Sequence, residues 1–521
     1  MSSRTVGLPR SDFVARALAR DRLGGRALVC FVLAAAAPLT VLAGVVPTGL
    51  AVTGVTGIPL AFLLIGAVLG LFSVGYVAMA RHVPNSGAFY AYIAQGLGRP
   101  LGVGAAGVAL LAYNALQVAL YGAIGAAAGP LLRQWFGITA AWWVIALAAW
   151  LLVTTLGVLR VDLNGRVLAL LLAAEIAVII VYDLAYVTHP AGGHLSFDTL
   201  TPTNLATAAA GALFVMAGLG FIGFESAAVY SEESRNPGRT VPVATFTAVA
   251  LIAVLYGVSS WAMIAAAGSD QVVATAQAQG PEVVFALAGA HLGGPAADIG
   301  HALFVTSLVA AMVSFHGTTA RYMYALGREG VLPAALGATS HAGAPKTASL
   351  AQSGLALAVI TLFAAVGWDP LVQLFFWGGT GGGYGVLFLI TLTSIAVIAY
   401  FTRHHPTEDN TQRRATTPAL VASAVAAVAL AAVMWLATSN FDTLLGVTPD
   451  SPVRTLIPLT YAAALLLGIG WALLLKHSRP QVYARIGWGA KAATTAINGF
   501  THPATRPAAG RADLTPQEPT P

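Results

Sequence analysis

Three acidic side chains, Glu175, Asp183 and Glu225, lie inside long apolar runs, and no lysine or arginine sits deep in any of those runs to pair with them. An acid in the middle of a bilayer costs about 2.5 to 3.5 kcal/mol even on the lenient insertion scale, so it faces a cavity or a partner. The counter-charges left are a proton, a metal cation or the ammonium group of a bound substrate. Glu175 shares one helix face with Ile179, Tyr182, Asp183 and Tyr186, the spacing of i, i+4, i+7, i+8 and i+11. It is the deeper of the two acids there and the better proton site; a protonated acid bonded to a neighbouring helix is the alternative. Asp183 lies near the outer end, where it can reach water. Glu225 directly follows Gly218, Gly220 and Gly223. It can bind a cation, switch with protonation or cap a broken stretch of backbone.

Other patterns carry less. The three glycines spell GxGxxG, but a dinucleotide site needs a strand before the motif and a soluble helix after it. HExxH, Walker A and GxSxG patterns are absent, and the 11 histidines show no metal-ligand spacing on one helix. His316 reads as structural. No metal, cofactor or catalytic constellation is therefore expected, and a membrane enzyme is the least favoured class. Asn114, Gln117 and Tyr121 share a face of their helix and can line a pocket or glue helices together. Ser314 and Thr318, with Ser307 on the same helix, are candidate sodium ligands or ordinary packing residues.

The elements that must hold these groups are helices in a membrane. Only 9% of the 521 residues are charged against 57% hydrophobic, where a soluble domain averages about 25% charged. The first 26 residues and the last 46 hold 16 of the 46 charges, leaving 30 for the 449 between. Runs near the roughly 20 residues that cross a bilayer predict twelve spans, near 27–46, 56–80, 101–128, 141–159, 166–187, 206–231, 241–267, 299–320, 349–366, 371–400, 418–438 and 455–475. An even number puts both termini on one side. Connections from odd to even spans hold only Arg133 and Arg454, and the tails and other connections hold the remaining 24 of 26 basic residues. Lys and Arg accumulate in cytoplasmic loops, so both termini are expected in the cytoplasm of a multi-pass protein of the cytoplasmic membrane. The net charge of +6 then orients the chain against lipid and does not indicate nucleic acid. Residues 1–26 form a basic tail, with 11–26 either a short amphipathic helix on the inner leaflet or a topology signal. Residues 476–521 read as a disordered cytoplasmic tail. Cys30, the single cysteine, excludes an internal disulfide.

Two spans are interrupted. The first contains Pro38 and Gly44, and the sixth contains Gly218, Gly220 and Gly223 before Glu225. Unwound backbone survives in a membrane only where protein or a wet cavity satisfies it. Interruptions in matching places of two halves point to an inverted-repeat transporter with its site near mid-membrane. The implied repeats are 27–187 and 206–400, with 418–475 outside them. A third glycine-rich stretch, WGGTGGGYG at 377–385, predicts either a flexible point or a tight helix crossing.

FIGFESAAVYSEESRNPGRTVP (221–242) resembles the sixth-helix signature of the amino acid-polyamine-organocation permeases. RHVPNSGAFYAYIAQGLGRPLG (81–102) is similar to that family's first long cytoplasmic loop, and RYMYALGREGVLP (321–333) to the segment after its eighth helix. The resemblance implies an all-α membrane protein of twelve helices with the five-plus-five inverted repeat of the LeuT type, and alternating access. The implied activity is movement of an amino acid or related amine, often with protons, and less often expected here with sodium. By position, the substrate would be enclosed by Pro38, Leu39, Thr40, Val41 and Gly44 of the first span and Gly220, Phe221, Ile222, Gly223 and Phe224 of the sixth. Asn114 and Gln117, from their shared helix face, are added as substrate-binding candidates. Glu225 and Glu175 would couple protons. The chain departs from the family in carrying APLTVLAG where many members have a Gly-Ser-Gly type break. An amine without a carboxylate therefore stands beside the amino acids as a substrate. An exchanger, and a sensor or channel that concentrates nothing, are the other functions to separate.

Overall fold

The computed structural model describes residues 18–19, 21–159, 161–207, 209–341, 343–403 and 410–489. Of the basic tail expected at 1–26, residues 1–17 and 20 lie outside the described residues. Among the described residues the chain is helical, and its one β-type contact is a bridge between Leu23 and Ser234. Apolar runs of this length have no water to satisfy their backbone inside a bilayer, and the helix satisfies it internally.

Ten helices among the described residues are long and apolar enough to cross, with mean hydropathy between 1.6 and 2.4. Numbered as in the sequence, they are the first (Gly25–Thr53), second (Ile58–His82), third (Arg99–Phe136), fifth (Gly165–Thr188), seventh (Pro237–Ala267), eighth (Gly294–Glu329), ninth (Lys346–Val366), tenth (Pro370–Arg403), eleventh (Thr416–Ser439) and twelfth (Val453–Ser478). The two remaining expected spans differ. The fourth is a helix of 16 residues, Trp142–Gly157. The sixth is two pieces, Ala210–Leu219 and Ser226–Val229, separated by turns.

Burial sorts the bundle. The most apolar window of the first span is 83% buried and that of the twelfth 11%, so the first runs through the core and the twelfth along the rim. The first span packs on the fifth, seventh and eighth, while the third packs on the eighth, tenth and twelfth. The glycine-rich stretch of the tenth span is a tight crossing: a Cβ on Gly382 would fall 2.8 Å from the Ala112 carbonyl and 2.6 Å from Leu116 on the third span.

Short helices that periodicity does not announce lie between the spans, at Ala88–Leu97, Val272–Gln279, Glu282–Leu292 and Phe441–Leu445. The reading of 476–521 as disordered is corrected up to residue 489. The twelfth helix continues to Ser478, Pro480–Arg485 forms a further helix, and the backbone N–H groups of Gly487 and Gly489 each donate to Glu329, at 2.7 Å. A buried carboxylate that needs donors holds a segment whose composition alone looks unstructured. Residues 490–521 lie outside the described residues.

Candidate functional site

The first span breaks at Ala37–Pro38. Pro38 has no N–H to continue the helix, and a residue before proline is disfavoured in the right-handed helical region. Ala37 accordingly takes φ 47°, ψ 70°, a left-handed conformation rare for a side-chain-bearing residue. Beyond Thr40 the chain makes a π-helical turn over Val41–Val45 before resuming as Val46–Thr53. The groups released by the break find partners on other spans. The Ala36 carbonyl accepts from the Tyr256 hydroxyl at 3.0 Å, and the Leu39 N–H donates to Glu175 Oε1 at 2.5 Å. Glu175 Oε1 also accepts from Ser307 Oγ at 2.7 Å, and Ser307 Oγ in turn accepts from Thr40 Oγ1 at 3.0 Å. Glu175 is thus tied to the break itself.

The sixth span breaks over 220–225. Gly223 has φ +114°, and a Cβ there would stand 2.7 Å from Ala35 Cβ and 2.9 Å from the Ala35 carbonyl carbon. The two broken spans meet at this point with no room for a methyl group. Glu225 is fully buried and caps its own break, its Oε2 accepting from the Gly223 N–H at 2.9 Å and its Oε1 from the Tyr113 hydroxyl at 2.8 Å. Tyr76 donates to the Glu225 carbonyl at 2.8 Å. These bonds match the capping alternative for Glu225, and the two tyrosines are partners that the sequence did not indicate.

A cavity with an empty volume of about 900 Å³, including its open mouth, lies beside the breaks. Thr40, Val41, Gly44 and Thr48 of the first span face it, as do Leu219 and Ile222 of the sixth. The other walls are Leu116 and Leu120 of the third span, Ala311 and Phe315 of the eighth, and Phe375, Phe376 and Thr380 of the tenth. The tenth span enters this wall through a second π-helical turn, Pro370–Phe376, an irregularity frequent at functional sites.

Of the expected site residues, Thr40, Val41, Gly44 and Ile222 line the cavity. Pro38, Gly220, Phe221, Gly223 and Phe224 lie at or beside the breaks without forming its wall, and Leu39 faces a smaller cavity with Asp183, whose Oδ2 accepts from Ser259 Oγ at 2.6 Å. Asn114 and Gln117 are also outside the wall, where Leu116 and Leu120 stand instead. Their amides donate to the Leu110 carbonyl at 2.7 Å and to the Tyr121 hydroxyl at 3.3 Å. Ser314 donates to the Phe31 carbonyl at 3.3 Å, in the unbroken half of the first span, while Ser307 is held by Glu175. The described residues hold no cluster of three or more His, Cys, Asp or Glu able to bind a metal. His316 Nε2 is bonded to Ser349 Oγ at 2.7 Å.

Away from the cavity, where the first span begins, two of the quoted motifs interlock. Arg321 forms a two-pronged pair with Glu233, with Nη2 to Oε1 at 2.9 Å, and lies 4.2 Å from the Tyr230 ring centroid. Arg328 Nη1 and Nη2 donate to Glu232 at 2.6 and 2.8 Å. Burial pushes the Glu232 carboxyl up, but the adjacent Arg328 outweighs it and holds the group below the ordinary value. The Glu233 carbonyl accepts from the N–H groups of Arg22 and Leu23, both at 3.0 Å, which fastens the start of the first span to the same place. Glu329 gathers Asn85 and Tyr90 of the first long loop together with Gly487 and Gly489.

This chain is 28% identical over 343 residues to the lysine-specific permease LysP of Lactococcus lactis subsp. cremoris (strain MG1363), a match covering 61% of this chain and 66% of that protein. It is 25% identical over 307 residues to the branched-chain amino acid permease BcaP of the same strain, covering 54% of this chain and 63% of the relative. The matches therefore span just under two thirds of each relative. The family model described as amino acid permease matches residues 28–483, from the first span to the short helix after the twelfth, and the chain belongs to that family.

Proposed function

We propose that the chain is a secondary active transporter that moves an amino acid or a related amine across the cytoplasmic membrane by alternating access, coupled to protons. The observation that carries this reading is the meeting of two broken spans, each tied to a buried acid, beside a cavity that both spans help to line. Family membership supports transport of amino acids, and the names of the two relatives, one for lysine and one for branched-chain amino acids, support that substrate class. In this reading there are twelve helices, with repeats 27–187 and 206–400, and both termini face the cytoplasm.

Glu175 is the group proposed to carry the proton. Its carboxylate holds the Leu39 N–H and, through Ser307, the Thr40 hydroxyl at the cavity wall. A bond to an ionised acceptor is roughly twice as strong as a neutral one. Protonation would loosen the break and link the proton to the shape of the site. Glu225 acts mainly as the cap of the sixth span, with a second role in coupling. Protein in liposomes is expected to accumulate substrate under an inward proton gradient, with Glu175→Gln abolishing the gradient dependence while binding persists, and Glu225→Gln weakening it. One-for-one exchange indifferent to the gradient, with both variants behaving as wild type, would defeat the proton assignment.

A further inference from the structure

We infer that the transported molecule is an amino acid with an apolar side chain of leucine-to-phenylalanine bulk, received between the third and tenth spans. This rests on the transporter reading and narrows it. The cavity takes Leu116 and Leu120 from one side and Phe375 and Phe376 from another, with Phe315 of the eighth span completing the apolar surface. The polar side chains on the wall are the hydroxyls of Thr40, Thr48 and Thr380, and none of the lining residues is charged.

The charged groups elsewhere in the core do not repair that lack. Glu175 is turned to Leu39 and Ser307, Glu225 to Gly223 and Tyr113, and Asp183 to Ser259 in the neighbouring cavity. Arg321 and Arg328 are engaged by Glu233 and Glu232. The α-ammonium and α-carboxylate are common to every amino acid and do not discriminate among them. An additional side-chain ammonium or guanidinium would meet leucine and phenylalanine surface with no carboxylate facing it, and an additional side-chain carboxylate would meet no cation. Burying a charge without a partner is strongly unfavourable. An aliphatic or aromatic side chain leaves water for surface of its own kind. Of the two substrate classes in the relatives' names, the cavity chemistry fits the branched-chain one and not lysine.

Removing a methylene's worth of contact in an apolar pocket changes discrimination by about tenfold or more. Uptake of labelled leucine, alanine, lysine and glutamate is measured side by side in proteoliposomes under an inward proton gradient. Leucine is expected to be accumulated, and unlabelled phenylalanine to compete with it, while lysine and glutamate at about tenfold excess do not. Leu120→Ala and, separately, Phe376→Ala are expected to lower the ratio of leucine to alanine uptake by about tenfold. That ratio is independent of how much variant protein folds. Accumulation of lysine or glutamate in preference to leucine, or an unchanged ratio in both variants, would overturn the inference and leave the transporter reading standing. Accumulation of no amino acid would also overturn the inference, and if related amines were not accumulated either, the transporter reading would fall with it.

Discussion

Gly223 combines a positive φ with a close approach to the other broken span. Its φ of +114° suits only glycine, and the Ala35 Cβ stands 2.7 Å from where its own would be. Gly223→Ala is expected to cost about 1 to 3 kcal/mol and to suppress transport. Gly218→Ala, where an added methyl meets nothing within 4 Å, should be near neutral in a thermal-stability assay. Equal melting temperatures for the two variants would refute the close approach. The acids were legible in the sequence because an ionisable group stands out against an apolar run. The cavity wall was not, because Leu116, Leu120, Phe375 and Phe376 are the residue types that also serve helix packing and lipid contact. Asn114 and Gln117 drew attention as polar residues on the third span, and the neighbouring leucines are what face the cavity.

Among the elements, the two broken spans follow from local chemistry. Proline without an N–H and glycine at positive φ are written in the sequence, so both interruptions could be placed there. Their contact could not, because nothing in either segment names the other. The same holds for the motifs at 221–242 and 321–333, whose arginines and glutamates were visible individually but pair only across the fold. Their pH dependence follows from Glu232, which Arg328 holds below its ordinary value. A carboxylate lowered on folding contributes stability above its unfolded pKa and loses that contribution as pH falls through the folded value. The melting temperature is therefore expected to drop on acidification below about pH 4. Glu232→Gln should lower it at pH 7 and flatten the acid slope, whereas parallel slopes would count against the pair. The ordered segment up to residue 489 escaped detection because its structure comes from Glu329 and not from its own apolar periodicity.

For the molecule as a whole, the interlocked charges and the cavity lie on opposite sides of the breaks. The first span starts at the ion pairs and passes the break before reaching Thr48 on the cavity wall. In the orientation proposed from the basic residues, the buried ion pairs lie at the cytoplasmic end and the cavity lies toward the outer end. A cysteine at Thr48, with Cys30 replaced by serine, should react with a membrane-impermeant thiol reagent added outside and be protected by substrate. Reaction from the cytoplasmic side alone would reverse the orientation. The ion-paired end has a consequence for the working cycle. Arg321 and Glu233 are 6% and 1% exposed, and Arg328 and Glu232 are 4% and 10% exposed. Separating them means hydrating four ionised groups that are nearly dry while paired. In the proposed alternating-access cycle, opening toward the cytoplasm would then be a water-absorbing step, and its equilibrium would answer to the osmotic pressure of the compartment on that side.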